Sequence, residues 1–139
     1  MSDWPVSVVL PVLWGDMDAL GHVNNTRYFV WFEAARMAYF NRIGLGNTGE
    51  ALTVGPLLAT TTCDFLQPLH HPDEVRVGAR VTRIGNTSFT MAYGVERTSE
   101  PGVVVARGTG VIVTVDVTAG EKVRVPDALR QAIAAVEGD

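Results

Sequence analysis

Apolar and polar side chains alternate in several stretches of this chain, and the alternation predicts strands. Residues 75–82 and 89–96 place an apolar side chain at every second position, which is typical of strands buried on one face. Pro11 lies within the first apolar run and marks that run as an edge strand or a bulge, while Gly108 and Gly110 allow the last strand to bend or bulge. The predicted strands are residues 6–13, 57–66, 75–82, 89–96 and 103–117.

A helical pattern over residues 26–43 separates the first predicted strand from the others. Its apolar stripe consists of Tyr28, Trp31, Phe32, Ala35 and Tyr39. The opposite side is apolar too, with Val30, Ala34, Met37 and Ala38. A helix that is apolar nearly all round is expected to be buried. Asn24 or Asn25 can cap its start, and Gly44 can end it.

The order of the predicted elements determines the architecture. A strand, a long helix and four strands follow one another, and a short helix closes the chain at residues 127–136. The turns at residues 85–86 and 100–102 are short, so successive strands pair antiparallel. We therefore predict an α+β fold, in which one antiparallel sheet curls around the long helix, and a single domain over residues 1–139. Because such a sheet leaves an edge strand and one face exposed, we also expect a homo-oligomer.

Composition narrows the classes of function. The 139 residues are 47% hydrophobic and 19% charged, as in globular proteins, and the net charge of -4 disfavours nucleic-acid binding, which needs a basic surface. The N-terminal stretch has no basic region, and no segment is long and apolar enough to span a bilayer, so we expect neither a signal peptide nor a membrane protein. Cys63 is the single cysteine, which fits a reducing cytoplasm. We expect it to be a core residue of its strand.

Polar side chains concentrate in one segment, WGDMDALGHVNN at residues 14–25, between the first strand and the long helix. The free N–H groups and the dipole of a helix N-terminus attract anions, and they can equally hold an oxyanion formed during acyl transfer. Asp16 or Asp18 is then a candidate nucleophile or general base. Each polar residue taken singly is explained as a cap or a turn former. Together they exceed what one helix cap requires, which favours a functional site.

The same segment, in the form D-x-D-x-x-G-H-V-N-N, is followed by Tyr28, Glu33 and Arg36, and it resembles the hotdog-fold acyl-CoA thioesterases of the 4-hydroxybenzoyl-CoA thioesterase type. Further stretches that resemble this family are residues 83–90, 113–116 and 125–130. The resemblance, which covers nearly the whole chain, implies the hotdog fold, a curved antiparallel sheet wrapped around one long central helix. It also implies hydrolysis of an acyl-CoA to a free carboxylic acid and coenzyme A, with no metal and no further cofactor.

The resemblance assigns roles to residues of this junction. Asp18, the second aspartate of D-x-D, matches the catalytic carboxylate of the family, which attacks the thioester carbonyl or activates water. The backbone N–H of Asn25 matches the group that polarises this carbonyl. His22 and Asn24 belong to a form of the motif that the benzoyl-CoA type lacks, so they are candidates for shaping the loop or orienting Asp18.

The long helix adds a second carboxylate. Glu33 occupies a position where another hotdog branch places its catalytic carboxylate; the alternative, which we favour, is an ion pair with Arg36 one helical turn on. Near the start of the helix, Tyr28 or Trp31 is a candidate contact for the acyl group. Residues 57–62, on a threonine-rich strand, are a candidate lining of the acyl pocket.

Basic and polar residues are candidates for binding coenzyme A, because its phosphates need charged contacts. In the family, the segment that matches residues 83–88 lies near the pantetheine and the nucleotide, which makes Arg83 and Ser88 the first candidates. The alternatives are Arg97, Arg107 and Lys122. His70 and His71 have no cysteine or acidic partner at metal-ligand spacing, so we expect no metal site there.

Two other functions stay open. A hotdog hydratase or dehydratase acting on a thioester pairs a carboxylate with a histidine in a G-D-x-N-P-x-H-like motif. Gly15, Asp16 and His22 approach this motif with a spacing one residue too long and without Asn-Pro. A non-catalytic acyl-CoA-binding protein is the other function, although such a protein has no need of a carboxylate at Asp18. The sequence is equally compatible with a homodimer and a homotetramer.

Overall fold

The computed structural model of this chain describes residues 4–45 and 53–138. In chain order they form β1 (Val6–Val12), α1 (Asn25–Ile43), β2 (Val54–Phe65), β3 (Asp73–Ile84), β4 (Ser88–Arg97), β5 (Val104–Asp116) and α2 (Asp127–Glu137). A single turn of 3-10 helix, Trp14–Asp16, lies between β1 and α1. The predicted domain of residues 1–139 includes residues 1–3, 46–52 and 139, which lie outside the described residues.

The strands form one antiparallel sheet in the order β1-β3-β4-β5-β2. This sheet and the two helices confirm the predicted α+β class. β1 lies at one edge of the sheet, as the presence of Pro11 predicts. β2 lies at the other edge and pairs with β5, with one irregularity between Leu58 and Thr60.

The core lies between the sheet and α1. Every second residue of β3 and β4 is buried there, as the alternation predicts: Val75, Val77, Ala79, Val81, Phe89, Met91, Tyr93 and Val95. The ring of Phe32 in α1 stacks on Tyr93, with 4.8 Å between the ring centroids. A Cβ at Gly108 of β5 would collide with the ring of Phe32. The glycine therefore permits a close approach of helix and sheet. The sequence predicts a bend or bulge at Gly108 and Gly110, but the register irregularities of β5 lie at other positions.

α1 begins and ends as the sequence predicts, but only one side of it is covered. The side chain of Asn24 accepts the N–H of Thr26, and Gly44 ends the helix in the left-handed conformation with φ at 75°. The predicted apolar stripe is buried. On the opposite side, Val30 and Met37 are 50% and 46% exposed. The prediction of a helix buried nearly all round is therefore wrong for a single chain, because the sheet covers one side only.

α2 packs against α1 and β3 and closes the fold. Its last residue, Glu137, accepts a hydrogen bond from the hydroxyl of Tyr39 at 2.6 Å and another from the N–H of Val81 at 3.0 Å. The pairing of β3 with β4 is irregular between Val81 and Arg83, so the carboxylate binds a backbone N–H where the ladder is interrupted. Of the helices in the described part of the chain, none has the length and apolarity that crossing a membrane requires.

Candidate functional site

The junction between β1 and α1 folds around the carboxylate of Asp16, which is 8% exposed. One carboxylate oxygen accepts the N–H of Leu13 at 2.8 Å, and the other lies 3.5 Å from Nε of Arg27. The carbonyl of Asp16 accepts the N–H of Asn24 at 2.8 Å. These contacts join the start of the junction to its end, so Asp16 supports the loop.

Asp18, in contrast, lies exposed in a tight turn of the junction. Its N–H donates to the carbonyl of His22 at 2.9 Å, and its carbonyl accepts the N–H of Gly21 at 3.0 Å. Gly21 has a φ of 78°, a conformation that favours glycine. Oδ1 of Asp18 accepts the N–H of Leu20 at 2.9 Å, and no described residue binds Oδ2. The carboxylate is therefore held by its own turn and open to a ligand.

α1 begins with a polar cap and an open backbone donor. Oδ1 of Asn24 accepts the N–H of Thr26 at 2.9 Å and its hydroxyl at 2.7 Å, which makes Asn24 the N-cap. The N–H of Asn25, the first helical residue, has no acceptor within the helix, and none of the described residues supplies one. With the helix dipole, this N–H is suited to an anion or a carbonyl oxygen.

A cavity of about 330 Å³ opens beside this helix start. The predicted site residues that line it together are Asp18, His22, Asn25 and Tyr28. Val23 also lines it, and the rest of the lining is the end of β2 with the residues that follow, Phe65, Leu66, Gln67 and Pro68, here called the β2 wall. The cavity thus brings a carboxylate and a helix-end donor next to a partly apolar wall.

Arg97 of β4 holds the β2 wall in place. Its Nη2 donates to the carbonyl of Pro68 at 2.8 Å, and its Nη1 donates to the side-chain oxygen of Gln67 at 3.3 Å. The same guanidinium lies 3.2 Å from a carboxylate oxygen of Asp73 and 3.2 Å from one of Glu100. Arg97 was an alternative candidate for binding coenzyme A, but its guanidinium is engaged by the wall and by two carboxylates.

Tyr28 lies in the cavity lining and is only 3% exposed. Its ring packs edge-on against Phe65 and Trp31, at 4.9 Å and 5.1 Å between centroids. Burial first, and then the nearby Cys63, raise the pKa of Tyr28 to about 12, against an opposing effect of Arg97. The phenol is therefore neutral at physiological pH. No described residue is hydrogen-bonded to its hydroxyl, so the hydroxyl is available to a ligand.

The rest of β2 differs from its prediction. Residues 57–62 were a candidate lining of the acyl pocket, but they do not line this cavity, and Leu57 and Leu58 are 56% and 40% exposed. Cys63 is half-buried and packs against the core from its edge. Burial, with a smaller effect of Asp64, raises the pKa of Cys63 to about 11, so its thiol stays protonated and is a poor nucleophile.

Glu33 does not line this cavity. Its carboxylate lies 3.9 Å from Nη2 of Arg36, which is the ion pair that the sequence favours. The side chain of Glu33 is 64% exposed, whereas that of Arg36 is 9% exposed and donates from Nη1 to the hydroxyl of Tyr93 at 3.3 Å. Glu33 thus partners a buried cation.

Arg83 and Ser88 lie at the other end of the sheet. β3 begins at Asp73, whose carboxylate contacts Arg97 beside the β2 wall, and it runs along its length to Arg83. At about 3.3 Å per residue, that distance is roughly 30 Å. Ser88 opens β4 across the same turn, where its carbonyl accepts the N–H of Gly85 at 2.7 Å. Within one chain these two residues therefore do not line the cavity, and their contact with coenzyme A stays a prediction.

The histidines near the cavity bind backbone carbonyls. Nδ1 of His70 lies 2.9 Å from the carbonyl of Gly21, and Nδ1 of His71 lies 2.9 Å from that of Val12. The rings of His22 and His70 are 4.8 Å apart between centroids. Within residues 4–45 and 53–138, no three or more His, Cys, Asp or Glu side chains form a group that could hold a metal ion.

The sequence prediction missed the β2 wall. Its residues carry no charge and no catalytic motif, and their role depends on where the end of β2 lies relative to α1. One signal was present: the apolar pair Phe65-Leu66 follows a run of polar residues just before Pro68, a residue that strands accept only at an edge, at a strand start or at a bulge. An apolar pair at a strand end, next to a chain reversal, is a candidate pocket lining.

Most of this chain is similar to proteins of one known family. Residues 12–133 match the model of a family described as the thioesterase-like superfamily. The uncharacterized protein YsmA of Bacillus subtilis (strain 168) is 29% identical over 83 residues, which are 59% of this chain and 54% of YsmA. The chain thus spans about half the length of this curated relative.

Two solved structures are similar over nearly their whole length. A thioesterase from Thermus thermophilus, in complex with coenzyme A and Zn, is 34% identical, with 100% of this chain and 98% of that chain covered and a TM-score of 0.85. The PA5185 protein from Pseudomonas aeruginosa strain PAO1 is 30% identical. Its match covers 97% of this chain and 93% of that chain, with a TM-score of 0.85. These matches confirm the resemblance inferred from the sequence.

Proposed function

The chain belongs to the thioesterase-like superfamily, and we propose that it hydrolyses an acyl-CoA to a free carboxylic acid and coenzyme A. Membership supports the predicted class, a thioester hydrolase; the activity, the substrate and the catalytic groups belong to the proposal. One observation carries it: a single cavity is lined by the open carboxylate of Asp18 and by Asn25, whose N–H has no acceptor among the described residues. These are the two groups that thioester hydrolysis requires.

Both groups act on the thioester carbonyl. Its oxygen accepts the N–H of Asn25, and the helix N-terminus stabilises the oxyanion that forms. In one route, Asp18 attacks the carbonyl carbon, the coenzyme A thiolate leaves and takes up a proton, and water hydrolyses the mixed anhydride. In the other, Asp18 removes a proton from the attacking water and then protonates the leaving thiolate. Both routes need no metal and no further cofactor.

The remaining cavity residues support these two groups. The neutral phenol of Tyr28 contacts the acyl group or the thioester, and the β2 wall supplies apolar surface for the acyl chain. Asn24 fixes the start of α1 and so aims the N–H of Asn25. His22 shapes the loop and orients Asp18 through its carbonyl.

We also propose that the protein is a homodimer or a homotetramer. Val30 and Met37 of α1, with Leu57 and Leu58 of β2, leave apolar side chains at the surface. Burying a side chain of this size contributes about 1.5–3 kcal/mol, so a second copy gains by covering them. We expect sedimentation analysis to show an oligomer at micromolar concentration and Met37→Glu to shift it towards monomer. A monomeric wild type contradicts this part of the proposal.

Assembly also gives a role to the two residues that one protomer holds away from its own cavity. Arg83 is exposed and Ser88 is half-buried at the far end of the β3–β4 hairpin. In an oligomer, they can contact the coenzyme A end of a substrate bound to the neighbouring protomer.

We expect residues 1–139 to form a single domain, in which the sheet wraps around α1 as the central helix. We also expect this domain to act in the cytoplasm.

A thiol-release assay over short, long and aromatic acyl-CoAs tests the activity and identifies the acyl group. We expect Asp18→Asn to lower kcat about 10²–10⁴-fold on the best substrate, with an unchanged melting temperature. Glu33→Gln is the matched control for the second carboxylate, and we expect it to keep most of the wild-type rate. If Asp18→Asn keeps full activity while folded, Asp18 is not the catalytic carboxylate.

A hydratase or dehydratase is the second candidate, because a carboxylate and a histidine, Asp18 and His22, line the cavity together. Asp16, the aspartate of the hydratase-like motif, does not line the cavity and supports the loop instead. Its signature is loss of the ultraviolet absorbance of an enoyl-CoA without release of free thiol. An acyl-CoA-binding protein is the third candidate, and it predicts a tight complex with no turnover of any thioester. The same panel of substrates distinguishes all three.

A further inference from the structure

The loop that carries Asp18 is held from outside by residues 69–71, the segment that follows the β2 wall. The carbonyl of Leu69, which is fully buried, accepts the N–H of Val23 at 2.9 Å. His70 and His71 come next: the imidazole of His70 contacts the carbonyl of Gly21, and the backbone N–H of His71 donates to Sδ of Met17 at 3.5 Å. This segment therefore joins the two sides of the cavity.

His70 makes the contact nearest to the carboxylate. Because the carbonyl of Gly21 can only accept, Nδ1 of His70 must carry the proton and donate it across the 2.9 Å separation. The N–H of Gly21 in turn donates to the carbonyl of Asp18. Two consecutive hydrogen bonds thus connect the imidazole of His70 to the backbone of Asp18.

The imidazole of His70 also contacts a second residue of the cavity. Its ring lies 4.8 Å from the ring of His22, at an angle of 57° between the planes. Since the N–H of Asp18 donates to the carbonyl of His22, packing on His22 acts on Asp18 as well. His70 is therefore connected to both ends of the tight turn.

Asp18 depends on such support because its own contacts are local. Its hydrogen bonds go to Leu20, Gly21 and His22, all within the same exposed turn. A turn held only by itself can shift as a whole, and misplacing a reacting group by about 1 Å can lower the rate about 10²-fold. A contact between this turn and the rest of the fold limits that shift.

We propose that His70 is a positioning residue for Asp18, acting through its Nδ1–H bond to the carbonyl of Gly21. The inference rests on the proposed function of Asp18. His70 does not line the cavity and has no direct role in the chemistry. Its contribution is to the fraction of molecules in which the carboxylate is correctly placed, so it acts on kcat more than on KM.

Two substitutions separate the hydrogen bond from the ring. His70→Phe keeps an aromatic ring beside His22 and removes the donor, while His70→Asn removes the ring and keeps an N–H close to the position of Nδ1. We expect His70→Phe to lower kcat about tenfold and to change KM less than twofold. We expect His70→Asn to recover most of the lost kcat.

His71 provides the matched control. Its imidazole binds the carbonyl of Val12 in β1, outside the turn that holds Asp18. We expect His71→Phe to lower the melting temperature and to leave kcat within twofold of wild type. If His70→Phe and His71→Phe lower kcat equally, or if His70→Asn fails to recover kcat, the positioning role is overturned.

A readout independent of turnover separates this proposal from the proposed function. Amide hydrogen exchange at Gly21 reports the bond to the carbonyl of Asp18, and we expect faster exchange in His70→Phe than in wild type or His70→Asn. Unchanged exchange overturns the positioning role even if Asp18→Asn is inactive. If wild type hydrolyses no acyl-CoA, the proposed function fails, and the exchange rates still decide whether His70 holds the turn.

Discussion

Two aspartates that are two positions apart have opposite environments. Asp16 is buried and binds the N–H of Leu13 and the guanidinium of Arg27, whereas Asp18 is exposed and lines the cavity. The 3-10 turn at Trp14–Asp16 points the first carboxylate back towards the strand. The tight turn that follows presents the second carboxylate to a ligand.

The difference predicts that the same substitution destabilises the fold at Asp16 and hardly changes its stability at Asp18. Asp16→Ala leaves the N–H of Leu13 without its acceptor in a part-buried position, which costs about 2 kcal/mol of unfolding free energy. Asp18→Ala removes one exposed bond within its turn and is expected to change the unfolding free energy by less than about 0.5 kcal/mol. Urea denaturation of both variants measures these effects. A larger loss in Asp18→Ala than in Asp16→Ala contradicts the division of roles.

At the residue scale, the sequence could predict which groups meet when they are close along the chain. Asp18, His22, Asn25 and Tyr28 fall within one junction and the first turn of α1, and they do line one cavity. The sequence could not separate Asp16 from Asp18, because burial depends on which way each turn points. It also could not place Arg83, whose distance from the cavity follows from the length of β3.

At the scale of the elements, Trp4, which precedes β1, packs on the outer face of the sheet. The indole of Trp4 lies over Gly78 of β3 and Gly94 of β4, which are paired across the two strands. Arg80 covers the ring, with its guanidinium carbon 4.9 Å from the ring centroid. A Cβ on either glycine would collide with the indole. The two glycines therefore form the seat of Trp4.

Substitution at this seat should be coupled to Trp4. We expect Gly78→Ala to displace the indole and to lower the unfolding free energy by about 1–3 kcal/mol. In a Trp4→Ala background the same substitution meets no ring, so its effect should largely disappear. Urea denaturation of the four proteins gives the coupling energy. Equal effects of Gly78→Ala in both backgrounds contradict the proposed seat.

The elements themselves were largely predictable from the sequence. Alternation located β3 and β4 within three residues at each end, and Asn24 and Gly44 bound α1 as expected. The exposed side of α1 was not predictable, because an apolar pattern shows which side chains avoid water and not which neighbour covers them. The β2 wall was missed for a similar reason, since the partner of a strand end is a tertiary choice.

For the molecule as a whole, burial of the tyrosines makes the unfolding free energy depend on pH under alkaline conditions. Tyr28, Tyr39 and Tyr93 are all the tyrosines of the chain, and burial is the largest cause that raises the pKa of each. A glutamate bonded to Tyr39 raises its pKa further, whereas Arg36 opposes the shift at Tyr93. The folded protein therefore keeps protons that the unfolded chain loses near pH 10.

The sign of the pH dependence follows from this difference. Below about pH 10 the tyrosines are protonated in both the folded and the unfolded state, so they do not make the unfolding free energy depend on pH. Above it, the unfolding free energy should fall by up to about 4 kcal/mol per pH unit while all three remain protonated in the fold. The ultraviolet absorbance of tyrosinate should rise near pH 10 in urea and well above pH 10 in the folded protein. A folded protein that titrates near pH 10 contradicts the burial.

Under the proposed function, the continuity of the β2 wall with residues 69–71 has a consequence for how this protein can evolve. A lineage that adapts to a bulkier acyl group has to reshape Phe65 or the residues up to Pro68. Because Leu69 and His70 follow without a break and contact the loop of Asp18, we expect such changes to lower kcat as well. We therefore expect substrate range and rate to be inherited as linked traits, and we expect compensating changes to accumulate at Arg97, which anchors the wall from β4.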